Sequence, residues 1–231
     1  VDIIFHLAAS VGVKNIMKNP IYSISNNLNT SEKIFRFASE FKKRVIFTSS
    51  SEVYGLSSRI LDENARLNLG NPKIIRWNYA STKITDEYLA MSYFKEKNLK
   101  ITVVRLFNTV GKGQSKQYGM VIPRFYFQAI KNKPITVYGS GKQTRDFTYI
   151  DDCIKVFDLL NKKVSGFHIL NSSKGNDFNI LGLAKKIKFI LNSKSKIVNL
   201  KVPENLEEFQ VMKRCGDSSK LLKLIKYKPS T

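Results

Sequence analysis

The stretch RVIFTSSSEVYG, Arg44–Gly55, opens on an apolar run, Arg44–Thr48, and breaks into three consecutive hydroxyls, Ser49, Ser50 and Ser51. Apolar side chains at successive positions mark a strand covered on both faces, as in parallel sheets. Upstream, Asp2–Leu7 has the same character and ends in the small residues Ala8, Ala9 and Ser10. Between the two, Pro20 leads into a helical stretch to Phe41, with Ile24, Leu28, Ile34, Phe35 and Ala38 near helical spacing. Downstream, Trp77–Lys97 reads as a helix whose apolar side carries Ile84, Tyr88, Leu89, Met91 and Phe94, and Lys100–Phe107 as a third strand. Strands alternating with segments long enough for crossovers predict an α/β parallel sheet.

Past Asn108 the alternation breaks up, punctuated by Gly111, Gly113, Gly119, Pro123, Pro134, Gly139 and Gly141. Helices are expected at Val121–Lys131, Asp151–Asn161, Ile180–Leu191 and Ser218–Ile225, and strands at Ile135–Tyr138 and Phe167–Leu170. The pattern predicts a sheet domain over residues 1–110 and a smaller lobe over 111–231.

With 231 residues, 42% of them apolar and 25% charged, the chain has ordinary globular composition, which excludes disordered and fibrous classes. Val1–Ser10 and Ile101–Phe107 are too short to cross a bilayer. Two cysteines, Cys153 and Cys215, make neither a disulfide framework nor a metal-binding spacing, so no metal and a cytoplasmic location are expected. The net charge of +21 invites an anionic partner. The lysines are scattered and no run reaches five, so a solvated surface is expected rather than a nucleic-acid or membrane footprint.

Tyr79 and Lys83 stand four apart on the Trp77–Lys97 helix, one turn above the other on one face. An ammonium held there favours the phenolate and brings a poor base towards useful range. The hydroxyl cluster after Thr48 would lie at the carboxyl end of its strand, where open α/β sheets bind ligands. A serine there can bond a substrate hydroxyl while Tyr79 takes its proton. His6 reads as a core histidine, and Asp151-Asp152 as the cap of the following helix.

With these blocks the sequence resembles the extended short-chain dehydrogenase/reductases, in particular the NAD-dependent nucleotide-sugar epimerase/dehydratase group. The matching blocks run in family order: FHLAA (Phe5–Ala9), NNLNTS (Asn26–Ser31), TSSSEVYG (Thr48–Gly55), RWNYASTK (Arg76–Lys83), VVRLFNTVG (Val103–Gly111), YGMVIPRF (Tyr118–Phe125), ITVYGSGKQTRDFTYIDD (Ile135–Asp152), and KRCGDSSK with IKYKPST near the end. The resemblance implies a Rossmann-like parallel sheet with a smaller C-terminal substrate-binding lobe. It implies Tyr79 as acid/base, Lys83 as its tuner and ribose ligand, and Ser50 as the hydroxyl that positions the sugar. Ala8, Ala9, Asn27 and Ser49 fall where the family lines or supports NAD. Ser51, Asn108, Val121, Tyr138, Arg145 and Arg214 fall where it holds the nucleotide sugar, Arg145 being the natural diphosphate partner and Arg214 the weaker one. A homodimer through the Pro20–Phe41 and Trp77–Lys97 helices is implied too, with Phe37 and Tyr93 on their outer faces.

The family's GxxGxxG turn over the dinucleotide pyrophosphate is absent from the 231 residues. The chain therefore reads as a piece lacking the first strands and a short tail, inactive by itself, with the choice between NAD and NADP left open. Three reactions share oxidation at the sugar C4. UDP-sugar 4-epimerase leads, UDP-glucuronate decarboxylase follows closely, and a 4,6-dehydratase is third. Glu52 is typical of the last two, whereas Ser51 stands where one dehydratase subclass has Asp. A non-catalytic protein on the same scaffold is the reading from another class.

Overall fold

A computed structural model describes residues 1–57, 59–115, 118–202 and 211–230. Thr231, the last residue of the IKYKPST block, lies outside them. The strands are β1 Ile3–His6, β2 Arg44–Ser50, β3 Ile60–Leu61, β4 Ile101–Leu106, β5 Asn108–Val110, β6 Ile135–Tyr138, β7 Thr144–Tyr149, β8 Phe167–Ser172, β9 Asp177–Asn179, β10 Ile197–Leu200 and β11 Lys213–Gly216. The helices are α1 Val13–Lys18, α2 Pro20–Glu40, α3 Asn78–Lys97, α4 Val121–Ile130, α5 Ile150–Lys163, α6 Ile180–Ile190 and α7 Ser219–Ile225. Short 3₁₀ turns occupy Ser51–Tyr54 and Ile75–Trp77.

The main sheet runs β1-β2-β4-β8 with every pair parallel. Its two central strands are buried almost throughout, because side chains alternate between two covered faces. Val45, Phe47, Ile101 and Val103 pack on Phe35 and Ala38 of α2 and Ala90 of α3. Ile46, Val104 and Leu170 pack on Val156 and Leu160 of α5 and Leu221 and Ile225 of α7. Each such side chain stabilises the fold by roughly 1.5–3 kcal/mol relative to exposure. β1 departs from the expected double burial. It lies at the sheet's edge and leaves Phe5 and the following Leu7 exposed.

After residue 110 the chain crosses back, since β8 supplies the fourth strand and α5 and α7 one of the helical layers. The remainder builds a β6–β10 pair against α4 and α6, and a small sheet β3-β11-β7-β5 with β9 on β7. Asp146 on β7 knits this part together by accepting from the backbone N–H groups of Lys174, Gly175 and Gly216.

The helices α2 and α3 differ from the sequence reading in what they bury. α3 turns Thr82, Lys83, Asp86 and Glu87 inward and leaves Tyr88 exposed. α2 buries Ser23, Asn27 and Ser31 beside Phe35 and Ala38, with Ile24 partly in solvent. Apolar spacing could not reveal these faces, because polar contacts hold them. The acidic pair Asp151-Asp152 lies in the first turn of α5, where Asp152 accepts from Tyr227 and the Ser230 N–H instead of capping.

Arg44 opens β2 and donates to the carbonyls of Asn161 and Val164, at 3.1 and 2.7 Å, at the C-terminal end of α5. A cation there answers both unpaired carbonyls and the helix dipole. Arg44→Ala is expected to lower unfolding free energy by about 2 kcal/mol in urea denaturation, with Arg44→Lys recovering only part of it. Equal stabilities for all three proteins would contradict this role.

Candidate active site

The parallel register carries β2 to its carboxyl end at Ser49 and Ser50. Ser50 then caps the Ser51–Tyr54 turn by accepting from the Glu52 N–H at 3.2 Å. The turn closes on Gly55, whose φ of 59° and closeness to the Asn68 carbonyl, 1.9 Å from where a Cβ would sit, exclude any side chain. This geometry aims Ser50 at α3, close enough to the Tyr79 hydroxyl to act on it.

Ser49 has a different fate. It is buried and donates to Glu87 at 2.6 Å, so its hydroxyl serves the framework and not a cleft. Glu87 is also held by Arg105, at 3.0 and 2.6 Å, and Arg105 donates in turn to the Tyr54 hydroxyl at 2.9 Å. Asn27 is equally internal. Its Oδ1 accepts from the Ser10 N–H at 2.7 Å and its amide reaches Thr82, which ties the loop after β1 to α3.

The sequence reading has Lys83 lowering the Tyr79 pKa, and the structure corrects this. Burial pushes the Tyr79 phenol up, the Glu52 and Asp86 charges push it the same way, and only Ser50 opposes them. The Lys83 ammonium is drawn instead to Asp86, 3.8 Å away, and sits 4.4 Å over the Phe47 ring. Burial brings Lys83 down to about 8, against the upward pull of Asp86 and Glu87.

On the other side of Tyr79 stands a cluster of guanidiniums. Arg145 on β7 and Arg214 on β11 are direct partners in the parallel ladder, so two like charges lie side by side. Such pairs are destabilising unless something else holds them. Arg214 donates to the Ser51 carbonyl at 2.9 Å, and Arg145 to the carbonyls of Thr144 and Val211. Arg76, in the 3₁₀ turn leading into α3, reaches Glu52 at 3.4 Å. Burial alone would raise the Glu52 carboxyl, but Arg76, Arg214 and Arg145 outweigh it and hold it below the usual range. Among the described residues, three guanidiniums face one carboxylate, an excess of two positive charges, and buried Arg76 Nη1 and Arg214 Nη2 have no hydrogen-bond partner. An anionic ligand would satisfy both charge and donors.

The remaining candidates sit further out. The Asn108 amide donates to the Asp146 carbonyl at 2.9 Å and so braces β5 against β7. Val121 opens α4 and packs on the α4–α6 core, and Tyr138 ends β6 under the Arg124 guanidinium, 4.6 Å from its ring centre. Arg124, Arg76, Asp86 and the Glu87–Arg105 pair escaped the sequence reading. Arg76 alone carried a signal, three residues before Tyr79. A cleft of about 500 Å³ is lined by Leu56, Arg59, Arg66, Asn68, Val211 and Met212, and it meets the cluster only through Val211, whose carbonyl accepts from Arg145.

The residues around Tyr79 fit the nicotinamide end of a dinucleotide. Exposed Ala8 and half-buried Ala9 at the end of β1 leave the backbone approachable, and Lys83 offers a donor one turn below the phenol. For the pyrophosphate, the sequence contains no Gly-rich turn.

The parallel sheet thus brings Ser50 of β2 close to Tyr79 and Lys83 of α3 at its carboxyl end. Residues 1–180 match the NAD dependent epimerase/dehydratase family, and the chain belongs to it. It is 37% identical over 235 residues to a UDP-N-acetyl-alpha-D-glucosaminuronate decarboxylase of Bacillus cytotoxicus, covering 99% of this chain and 72% of that protein. It is 31% identical to UDP-glucuronic acid decarboxylase 4 of Arabidopsis thaliana over 99% of this chain, which spans only 51% of the plant protein. Among solved structures, a UDP-glucuronic acid 4-epimerase of Bacillus cereus, in complex with UDP-glucuronic acid and NAD, superposes with TM-score 0.88 at 28% identity. That likeness covers 100% of this chain and 71% of the other.

Glu52→Gln would leave the three arginines without their anion. The loss of stability at pH 7 is expected to be about 1–3 kcal/mol, discounted for the partial exposure of Glu52. The folded-state pKa of Glu52 is depressed, so its contribution is present above the unfolded value and fades as pH falls through the folded one. Denaturation curves of the two proteins should converge in acid; a gap independent of pH would contradict the assignment.

Proposed function

We propose that these residues form the catalytic half of an NAD-dependent enzyme that oxidises a nucleotide sugar at C4, and that its substrate is a UDP-uronate which it decarboxylates. The excess of positive charge at Arg76, Arg145 and Arg214 carries this reading, because it surrounds Glu52, whose own charge acts on Tyr79. Arg145 and Arg214 would take the diphosphate. Arg76, paired with Glu52 three residues before Tyr79, stands nearest the sugar and would take its carboxylate.

NAD, when bound, would accept the hydride from C4. The chain's part is to move a proton: Ser50 orients the C4 hydroxyl, and Tyr79 removes its hydrogen as the phenolate that an ammonium brought beside it, Lys83, would favour. With a carbonyl at C4 the sugar becomes a β-keto acid. The bond from C5 to the carboxylate breaks, its electron pair moves towards the C4 oxygen, CO2 leaves, and C5 takes a proton. The raised pKa of Tyr79 suits the return step, in which a protonated phenol gives its hydrogen back.

The 4-epimerase is the second reading. The Tyr79–Ser50 pair serves it equally, and the likeness to the Bacillus cereus 4-epimerase supports it. A homodimer through α2 and α3 accompanies either, supported by exposed Ile21, Tyr22, Phe37, Phe41 and Tyr88. Tyr93 is withdrawn from that face, since its hydroxyl donates to Glu32 and its ring packs on Phe35.

The gene product carrying these residues, incubated with NAD and UDP-glucuronate or UDP-N-acetylglucosaminuronate, is expected to release CO2 and yield the sugar one carbon shorter by NMR. Epimerised uronate with no CO2 would replace decarboxylation by the second reading. Arg76→Ala is expected to cut kcat/KM for a uronate about 10- to 100-fold while sparing a neutral UDP-glucose. The 231-residue chain alone, without a phosphate turn, is expected to bind NAD weakly and not turn over. Robust turnover by it would contradict this.

A further inference from the structure

Asp86 is fully buried on α3, yet the reaction above does not use it. Among the described residues, its two oxygens lie outside full hydrogen-bonding geometry with any donor. The nearest stabilising groups are the Lys83 ammonium, 3.8 Å away, and the Ser31 hydroxyl of α2. Ser31 in turn meets His6 Nε2 of β1 at 3.1 Å.

The other carboxylate in reach of Lys83, Glu87, is already saturated by Arg105 and Ser49. Asp86 is therefore the counter-ion that fixes the ammonium over the Phe47 ring of β2. That seat commits the ammonium to Asp86 and the Phe47 ring. To serve a ligand beside the phenol, the ammonium has to leave Asp86, and a carboxylate stranded there would be a charge without compensation.

We propose that Asp86 is a positioning residue acting as a proton-coupled latch: as a carboxylate it holds Lys83 in the resting seat, and it takes up a proton when the ammonium swings towards Tyr79. The proposal rests on Lys83 being the residue beside the reacting phenol. The surroundings are arranged for it. Burial raises Asp86 to about 6, with Lys83 and Ser31 pulling it down and Glu87 pushing it further up. His6 is held down at about 4 by burial and the Lys83 charge, so a neutral imidazole faces Ser31 at pH 7. With Lys83 withdrawn, its downward pull on Asp86 is lost and the carboxyl rises further.

The test follows Asp86 carboxyl and Lys83 side-chain carbons by NMR through a pH titration of the 231-residue chain. In the wild-type chain Asp86 is expected to titrate near 6 and Lys83 near 8. Lys83→Met mimics withdrawal and should move the Asp86 midpoint up by about one pH unit or more. Asp86→Asn should lower the Lys83 midpoint by a similar amount, and Asp86→Glu should restore part of it. An Asp86 midpoint unmoved in Lys83→Met, or a Lys83 midpoint unmoved in Asp86→Asn, overturns the latch. Should either variant fail to fold, an ordinary carboxylate midpoint for Asp86 in the wild-type chain overturns it as well. None of these readings involves NAD or turnover, so a failure of the proposed reaction would leave them intact, and the reverse.

Discussion

The fold depends on a helix that buries charge. α3 sets Lys83, Asp86 and Glu87 against the sheet, where desolvation would cost several kcal/mol for each ion left alone. Arg105 offsets the burden with a two-pronged contact to Glu87, and Ser49 completes the shell of that carboxylate. The same contacts lock β2, β4 and α3 together at the end of the sheet from which Ser50 and Tyr79 project. Tyr79 is therefore held by a structure that tolerates little rotation of α3, the preorganisation that proton transfer at a fixed distance requires.

Two electrostatic environments flank the phenol. Below it lie the buried carboxylates and one lysine; beyond Glu52 lie three arginines, two of which keep a donor unpartnered among the described residues. The first raises the phenol's pKa and keeps its proton at neutral pH, and the second collects anions. In the proposed reading the diphosphate of the nucleotide sugar answers Arg145 and Arg214, and Arg76 beside Glu52 is left for the carboxylate of an acidic sugar. That preference bears on the substrate and not on the choice between decarboxylation and the 4-epimerase reaction that the sequence placed first.

Much of the architecture was legible in the chain. The strands Arg44–Thr48, Lys100–Phe107 and Ile135–Tyr138 and the helix from Pro20 declare themselves through burial on two faces or one, and Tyr79 with Lys83 through helical spacing. What escaped was carried by polar contact at long range. The strands β7 and β11 bring Arg145 and Arg214 into register across 69 residues of sequence, and no local pattern announces that pairing. Asp86 lay hidden because an apolar count assigns the buried face of α3 to Ile84, Leu89 and Phe94, whereas the structure gives its deepest positions to Asp86 and Ala90. Ser49 was misread for the opposite reason: a hydroxyl at a strand end looks free until its buried partner is known.

The central claim is that Tyr79, as a phenolate beside Ser50, takes the proton of a sugar alcohol while hydride leaves the same carbon. Rapid mixing of the gene product, NAD and nucleotide sugar, followed by reduced-nicotinamide absorbance, addresses it most directly. The account predicts a transient rise that is slowed by deuterium at sugar C4 and lost in Tyr79→Phe. Product formation with no transient, no isotope effect and full rate in Tyr79→Phe would contradict it.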